Sequence, residues 1–97
     1  MDNRIKNIAD SIGRIAEHYG YESQSRQCME ECAELIQAIN KQWRNKDFDG
    51  SESIIEEMAD VLITWCQMYW FLSPDSNEIF DMVNSKLDRQ ISRMKED

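Results

Sequence analysis

Apolar residues recur along this chain at intervals of three and four, a pattern that predicts helices and no strands. The first helical segment is expected from about Asp2 to Tyr19, with Ile5, Ile8, Ala9, Ile12, Ile15 and Tyr19 on one side. Gly20 is a suitable stop. The second segment starts near Ser23, a residue type that caps helix N-termini, and its stripe is Cys28, Cys32, Leu35, Ile36 and Ile39. Asn45 to Gly50 then reads as a short polar loop. The third segment opens on Ser53 and Glu56, spaced as a capping box. Its stripe is Ile54, Met58, Val61, Leu62, Trp65, Tyr69 and Leu72, yet Ala59, Ile63, Cys66 and Trp70 make the opposite face apolar too. A helix apolar on two faces must be covered on both. In a chain this short, the second cover is expected from another subunit. Ser73 and Pro74 reset the chain, with Pro74 suited to the first turn of a last helix. That helix is expected to bury Ile79, Val83, Leu87, Ile91 and Met94 and to carry Lys86, Arg89 and Arg93 on one flank. Short connections imply antiparallel neighbours. The expected fold is therefore all-α, an antiparallel four-helix bundle-like domain assembling into a dimer or tetramer.

Composition narrows the picture. At 97 residues the chain is expected to form a single domain, 1–97. Its 41% hydrophobic and 31% charged residues are the balance of a folded protein rather than a disordered one. A net charge of -8 speaks against a nucleic acid polymer as partner, because a phosphate backbone rewards Lys and Arg. The apolar run from Val61 to Leu72 is broken by Thr64 and Gln67 and is too short to span a bilayer. The N-terminus lacks an apolar signal core. These features predict a cytoplasmic protein with no membrane partner, and three cysteines fit a reducing compartment.

The chemistry is carried by two segments that follow one pattern. Residues 28–36 read Cys-Met-Glu-Glu-Cys-Ala-Glu-Leu-Ile, and residues 54–62 read Ile-Ile-Glu-Glu-Met-Ala-Asp-Val-Leu. On a helical wheel Glu31 and Glu57 fall at about -60° from the first residue of their segment, and Glu34 and Asp60 at about -120°. Each helix thus carries an i, i+3 carboxylate pair on the same flank of its stripe. Antiparallel packing about a local two-fold sends both flanks to one side, so the four carboxylates converge. Glu30 and Glu56 lie at about 200°, away from the stripe. Two unit charges 4 Å apart repel by about 4 kcal/mol at an effective dielectric of 20, so such a cluster needs a cation. An all-oxygen acidic set suits Mg²⁺, with Mn²⁺ as the other candidate, and such ions bridge carboxylates to substrate phosphates.

Other residues carry weaker signals. Cys28 and Cys32 have zinc-compatible spacing, but both lie on the expected stripe and only His18 could join them, which favours core packing. No Glu-x-x-His occurs, so a di-iron carboxylate bundle is not supported. Trp43, Trp65, Tyr69 and Trp70 are expected in the core or an interface rather than at a base-stacking site. His18, Lys41, Arg44 and Lys46 lie near helix C-termini, where they complement the helix dipole.

With these residues in place, the sequence resembles the MazG-like family of all-α NTP pyrophosphatases. That family is marked by Glu-Glu-x-x-Glu, a spacer, then Glu-x-x-Asp, present here as Glu30-Glu31-x-x-Glu34 and Glu57-x-x-Asp60. An Asn-x-Lys-x-x-Arg pattern on the last helix appears as Asn84, Lys86 and Arg89. The resemblance implies metal-dependent hydrolysis of a nucleoside triphosphate between the α and β phosphates, giving a monophosphate and pyrophosphate. It implies Glu31, Glu34, Glu57 and Asp60 as metal ligands, Asn84, Lys86 and Arg89 as substrate-binding residues, and a homo-dimer or tetramer. In the mechanism it suggests, Glu30 or Glu34 accepts the proton of the attacking water.

Two further functions compete at this stage. One is phosphoribosyl-nucleotide pyrophosphohydrolysis on the same fold. The other is a non-catalytic helical dimerisation module using the third segment as its surface. Metal binding separates the module from both enzymes, since an adaptor has no need of four converging acids.

Overall fold

A computed structural model of the chain describes residues 3–45 and 49–96. Asp2 of the first expected segment, and Lys46, Asp47 and Phe48 of the expected loop, lie outside the described residues. Three helices follow one another, α1 (Asn3–Arg44), α2 (Ser51–Leu72) and α3 (Ser76–Glu96), and no strand occurs among the described residues. None of these helices is long and apolar enough to cross a membrane.

The first two expected segments are joined. Gly20 takes φ 87° and ψ 168°, a conformation that a Cβ disfavours, so the expected stop is a kink inside α1. Helix resumes at Tyr21, so Ser23 lies within α1 and does not cap a new helix. The arm before the kink still reaches the far end of α2. A Cβ added at Gly13 would sit 3.3 Å from Trp70 Nε1, so the absence of a side chain permits that approach.

The start of α2 also differs from expectation. Gly50 is its N-cap, and no side-chain cap hydrogen bond is made there. Ser53 and Glu56 lie inside the helix, and Asp49 Oδ1 instead accepts the Ser51 backbone N–H at 3.1 Å. At the other end Ser73 turns left-handed at φ 43°, and its N–H donates to the Tyr69 carbonyl at 2.9 Å. Asp75 then caps α3, with Oδ1 accepting from the Asn77 N–H at 2.9 Å. Pro74 therefore precedes the last helix and is not in its first turn.

α1 and α2 pack against each other and run antiparallel. After the kink, the buried and half-buried positions of α1 include a series in alternating steps of four and three: Gln24, Cys28, Glu31, Leu35, Ala38 and Gln42. On α2 the matching series is Ile54, Glu57, Val61, Thr64, Met68 and Phe71, with half-buried Asp60 and buried Gln67 beside it on the same side. This is the seam of a two-helix coiled pair, and it is rotated from the predicted stripes. Cys32, Ile36 and Ile39 of α1, and Met58, Leu62, Trp65 and Leu72 of α2, are exposed. Because α2 is apolar around most of its circumference, periodicity alone does not decide which face meets α1. The expectation that both Cys28 and Cys32 sit in the core is thus corrected: Cys28 is half-buried, and Cys32 is exposed beside a shallow hollow.

Among the described residues, the backbone of α3 approaches neither α1 nor α2 closely, and only its first turn meets the end of α2. Ile79 alone is half-buried among its described side chains, over a small hollow formed with Trp65, Met68, Tyr69, Leu72 and Pro74. Val83 is 45% exposed, Leu87 49%, Ile91 51% and Met94 71%, so beyond Ile79 the apolar face expected to be buried is bare in the isolated chain. The antiparallel four-helix bundle is accordingly not closed within one copy. The radius of gyration, 16.7 Å, exceeds the ~12.5 Å of a compact domain of this length.

Candidate metal centre

Register builds the site. Gln24 Nε2 donates to Gln67 Oε1 at 2.8 Å, linking the two helices inside the seam. Two helical turns, about 10.5 Å, along α1 lead from Gln24 to Glu31, and the same rise back along α2 leads from Gln67 to Asp60. Glu31, Glu57 and Asp60 therefore meet, each half-buried, with one carboxylate oxygen apiece lying within 4.8 Å of the others. Thr64, one turn beyond Asp60, returns its Oγ1 to the Asp60 and Val61 carbonyls at 3.1 Å each, so its hydroxyl is satisfied within α2.

Three anions at this spacing repel by about 3 kcal/mol per pair at an effective dielectric of 20, before solvent screens their open sides. Glu31 Oε2 and Glu57 Oε2 are both buried and have no hydrogen-bond partner. Glu31 Oε1, in contrast, accepts from Gln27 Nε2 at 2.6 Å. That hydrogen bond pulls the Glu31 pKa down, but burial and the charges of Glu34 and Asp60 outweigh it, leaving the carboxyl above its ordinary value. Two buried, unpartnered acceptor oxygens on side chains of one acidic cluster fit a hard cation, which takes oxygen ligands without needing a donor proton. The residues present fit Mg²⁺ or Mn²⁺, with Glu31, Glu57 and Asp60 to hold it.

The expected site residues do not all converge. Glu31, Glu57 and Asp60 are brought together. Glu34 is exposed on α1 but close enough to Glu31 to act on its ionisation. Glu30 is exposed on α1, in a groove with Tyr19, Arg26 and Gln27. Asn84, Lys86 and Arg89 are exposed on α3, which beyond its first turn does not pack on the helices that bear the acids. Sequence reasoning missed Gln27 and the Gln24–Gln67 pair. Each had a legible signal: Gln27 stands i, i+4 to Glu31, and Gln24 begins the four-three series that contains Glu31.

No curated protein and no solved structure matches the chain. The profile of the MazG nucleotide pyrophosphohydrolase domain matches residues 20–95, from the kink of α1 through both acid-bearing helices and nearly to the end of α3. With that span and its acids gathered at the α1–α2 seam, the chain belongs to the MazG nucleotide pyrophosphohydrolase domain family.

Proposed function

We propose that the protein is a Mg²⁺-dependent nucleoside triphosphate pyrophosphohydrolase, cleaving between the α and β phosphates to release a nucleoside monophosphate and pyrophosphate. One observation carries the reading: two buried carboxylate oxygens, Glu31 Oε2 and Glu57 Oε2, lie unpartnered beside Asp60 in a chain of this family. Glu31, Glu57 and Asp60 hold the cation, and Glu34 completes the set from the adjacent turn. Bound there, the cation supplies Lewis acidity and the positive potential that a protein of net charge -8 otherwise lacks for phosphate. Glu30 or Glu34 accepts the proton of the attacking water as its oxygen bonds to phosphorus and the anhydride bond breaks. Asn84, Lys86 and Arg89 bind the phosphate chain and neutralise its oxygens.

The protein works as a homo-dimer or tetramer. Two bare apolar faces support this, the outer face of α2 and the stripe of α3, since a contiguous exposed apolar surface of this kind marks an interface. Because α3 beyond its first turn does not pack on its own α1 and α2, Lys86 and Arg89 serve the acids of a second copy.

The test is pyrophosphate release over a panel of nucleoside triphosphates and phosphoribosyl nucleotides, with Mg²⁺ and with chelator. Metal-dependent pyrophosphate from a triphosphate is the expected result. Turnover confined to phosphoribosyl nucleotides moves the substrate within the fold. No turnover and no metal binding leaves a dimerisation module.

A further inference from the structure

We infer that Gln27 is a positioning residue for the metal centre: it holds Glu31 by one oxygen so that the other faces the seam. The inference rests on the reading of Glu31, Glu57 and Asp60 as cation ligands. Gln27 precedes Glu31 by one helical turn on α1, and its Nε2 reaches Glu31 Oε1 at 2.6 Å. The terminal torsion of a glutamate is broad, so backbone position alone does not aim its oxygens. Repulsion from Glu34, Glu57 and Asp60 favours rotation of the carboxylate outward into water. The Gln27 amide opposes that rotation. With Oε1 held, Oε2 is the oxygen left buried and without a partner, as is Oε2 of Glu57.

The residue type matters. A lysine at this position would place its own charge on Glu31 and compete with the cation, whereas a neutral amide donates a hydrogen bond and leaves the carboxylate's charge in place. Partners that orient a ligand in this way typically contribute 10–100-fold to metal affinity or activity. Gln27 is exposed, so water competes for its hydrogen bond and the lower end of that range applies.

The experiment uses the full chain and Mn²⁺ alone. Free Mn²⁺ is titrated by its electron paramagnetic resonance signal against the parent, Gln27→Met and Gln27→Leu. Both substitutions keep bulk and helix propensity and remove the donor. Each is expected to weaken Mn²⁺ binding about tenfold and to change the spectrum of the bound ion. Melting in chelator is expected to stay at the parent's value. If the parent binds Mn²⁺ and both variants bind it equally, with the same spectrum, the role of Gln27 is overturned and the metal centre stands. Weaker binding matched by a lower melting temperature in chelator assigns Gln27 to the fold and overturns its positioning role. A parent that binds no Mn²⁺ overturns the metal centre, and the role of Gln27 with it.

Discussion

Gln24 and Gln67, 8% and 1% exposed, share a hydrogen bond of 2.8 Å across the α1–α2 seam, where a coiled pair ordinarily places apolar side chains. Ser23 Oγ adds a donor to Gln24 Oε1 at 3.2 Å. A buried polar pair of this kind contributes less to stability than to register, because any sliding of one helix past the other strands both amides. Here register is function. A slip by one turn would take Glu31 away from Asp60 and break up the acidic cluster.

Removing one amide should therefore cost more than removing both. Gln24→Leu leaves Gln67 buried without its partner and is expected to destabilise by about 1–3 kcal/mol. The double variant, with Leu at both positions, should recover most of that loss while losing metal affinity, because the register is no longer specified. Denaturant melts of Gln24→Leu, Gln67→Leu and the double variant, set against Mn²⁺ titrations, check it. Additive losses with unchanged metal affinity would mean that the pair does not set register.

The acidic cluster trades stability for metal binding. Glu57→Gln keeps the shape and removes one of the mutually repelling charges. In chelator this variant should melt higher than the parent. Added Mg²⁺ should raise the parent's melting temperature, since a ligand bound only by the native state stabilises it, and should do less for the variant. Turnover should be lost. A variant that keeps full activity would remove Glu57 from the site.

What the sequence shows of the site, and what it hides, have one physical source. Helical periodicity located the acids, because the apolar residues around Glu31 and Glu57 repeat every three to four positions. The same periodicity misplaced the seam, because α2 is apolar on two faces and the helix–helix contact uses the face that contains Glu57 and Thr64. The expected flank of each stripe thus became the contact itself. Gly20 showed a break but not that helix would resume at once, since a single glycine at positive φ kinks a helix without requiring a loop. The separation of α3 from the other helices was not legible, because its apolar stripe would look the same covered by its own chain or by another.

Stability should depend on pH through Glu31 in metal-free protein. Its carboxyl lies above the ordinary value of 4.5, because burial and the charges of Glu34 and Asp60 outweigh the lowering by Gln27. A group with a folded pKa above its unfolded one binds protons more tightly in the native state. Its contribution is thus fully present below 4.5 and is lost as pH rises through the higher folded value. In chelator, the stability of the parent relative to Glu31→Gln should fall as pH rises from 4.5. With Mg²⁺ the trend should reverse, since the cation binds the deprotonated carboxylate. Parallel stability profiles in chelator would show that Glu31 is not strained by its neighbours.

Assembly supplies the sharpest test of how the basic residues reach the acids. Lys86 and Arg89 sit on a helix that, beyond its first turn, does not pack on its own α1 and α2, so they are expected to act on another copy's acidic cluster. Lys86→Ala should weaken substrate binding with the fold intact, and Glu57→Gln should abolish turnover, so either variant alone is impaired. Co-refolding equal amounts of the two creates mixed dimers. In each, the chain carrying Lys86→Ala offers intact acids to the intact α3 of the chain carrying Glu57→Gln, while the reciprocal site is doubly damaged. Random pairing makes half the dimers mixed, with one intact site in two, so roughly a quarter of parental activity should return. Sedimentation should show no folded monomer of 11.5 kDa at micromolar concentration. If mixed dimers form, shown by a mass or affinity tag on one chain, and no activity returns, then Lys86 acts within its own chain or outside the site. A stable folded monomer with full turnover would exclude exchange of α3 altogether.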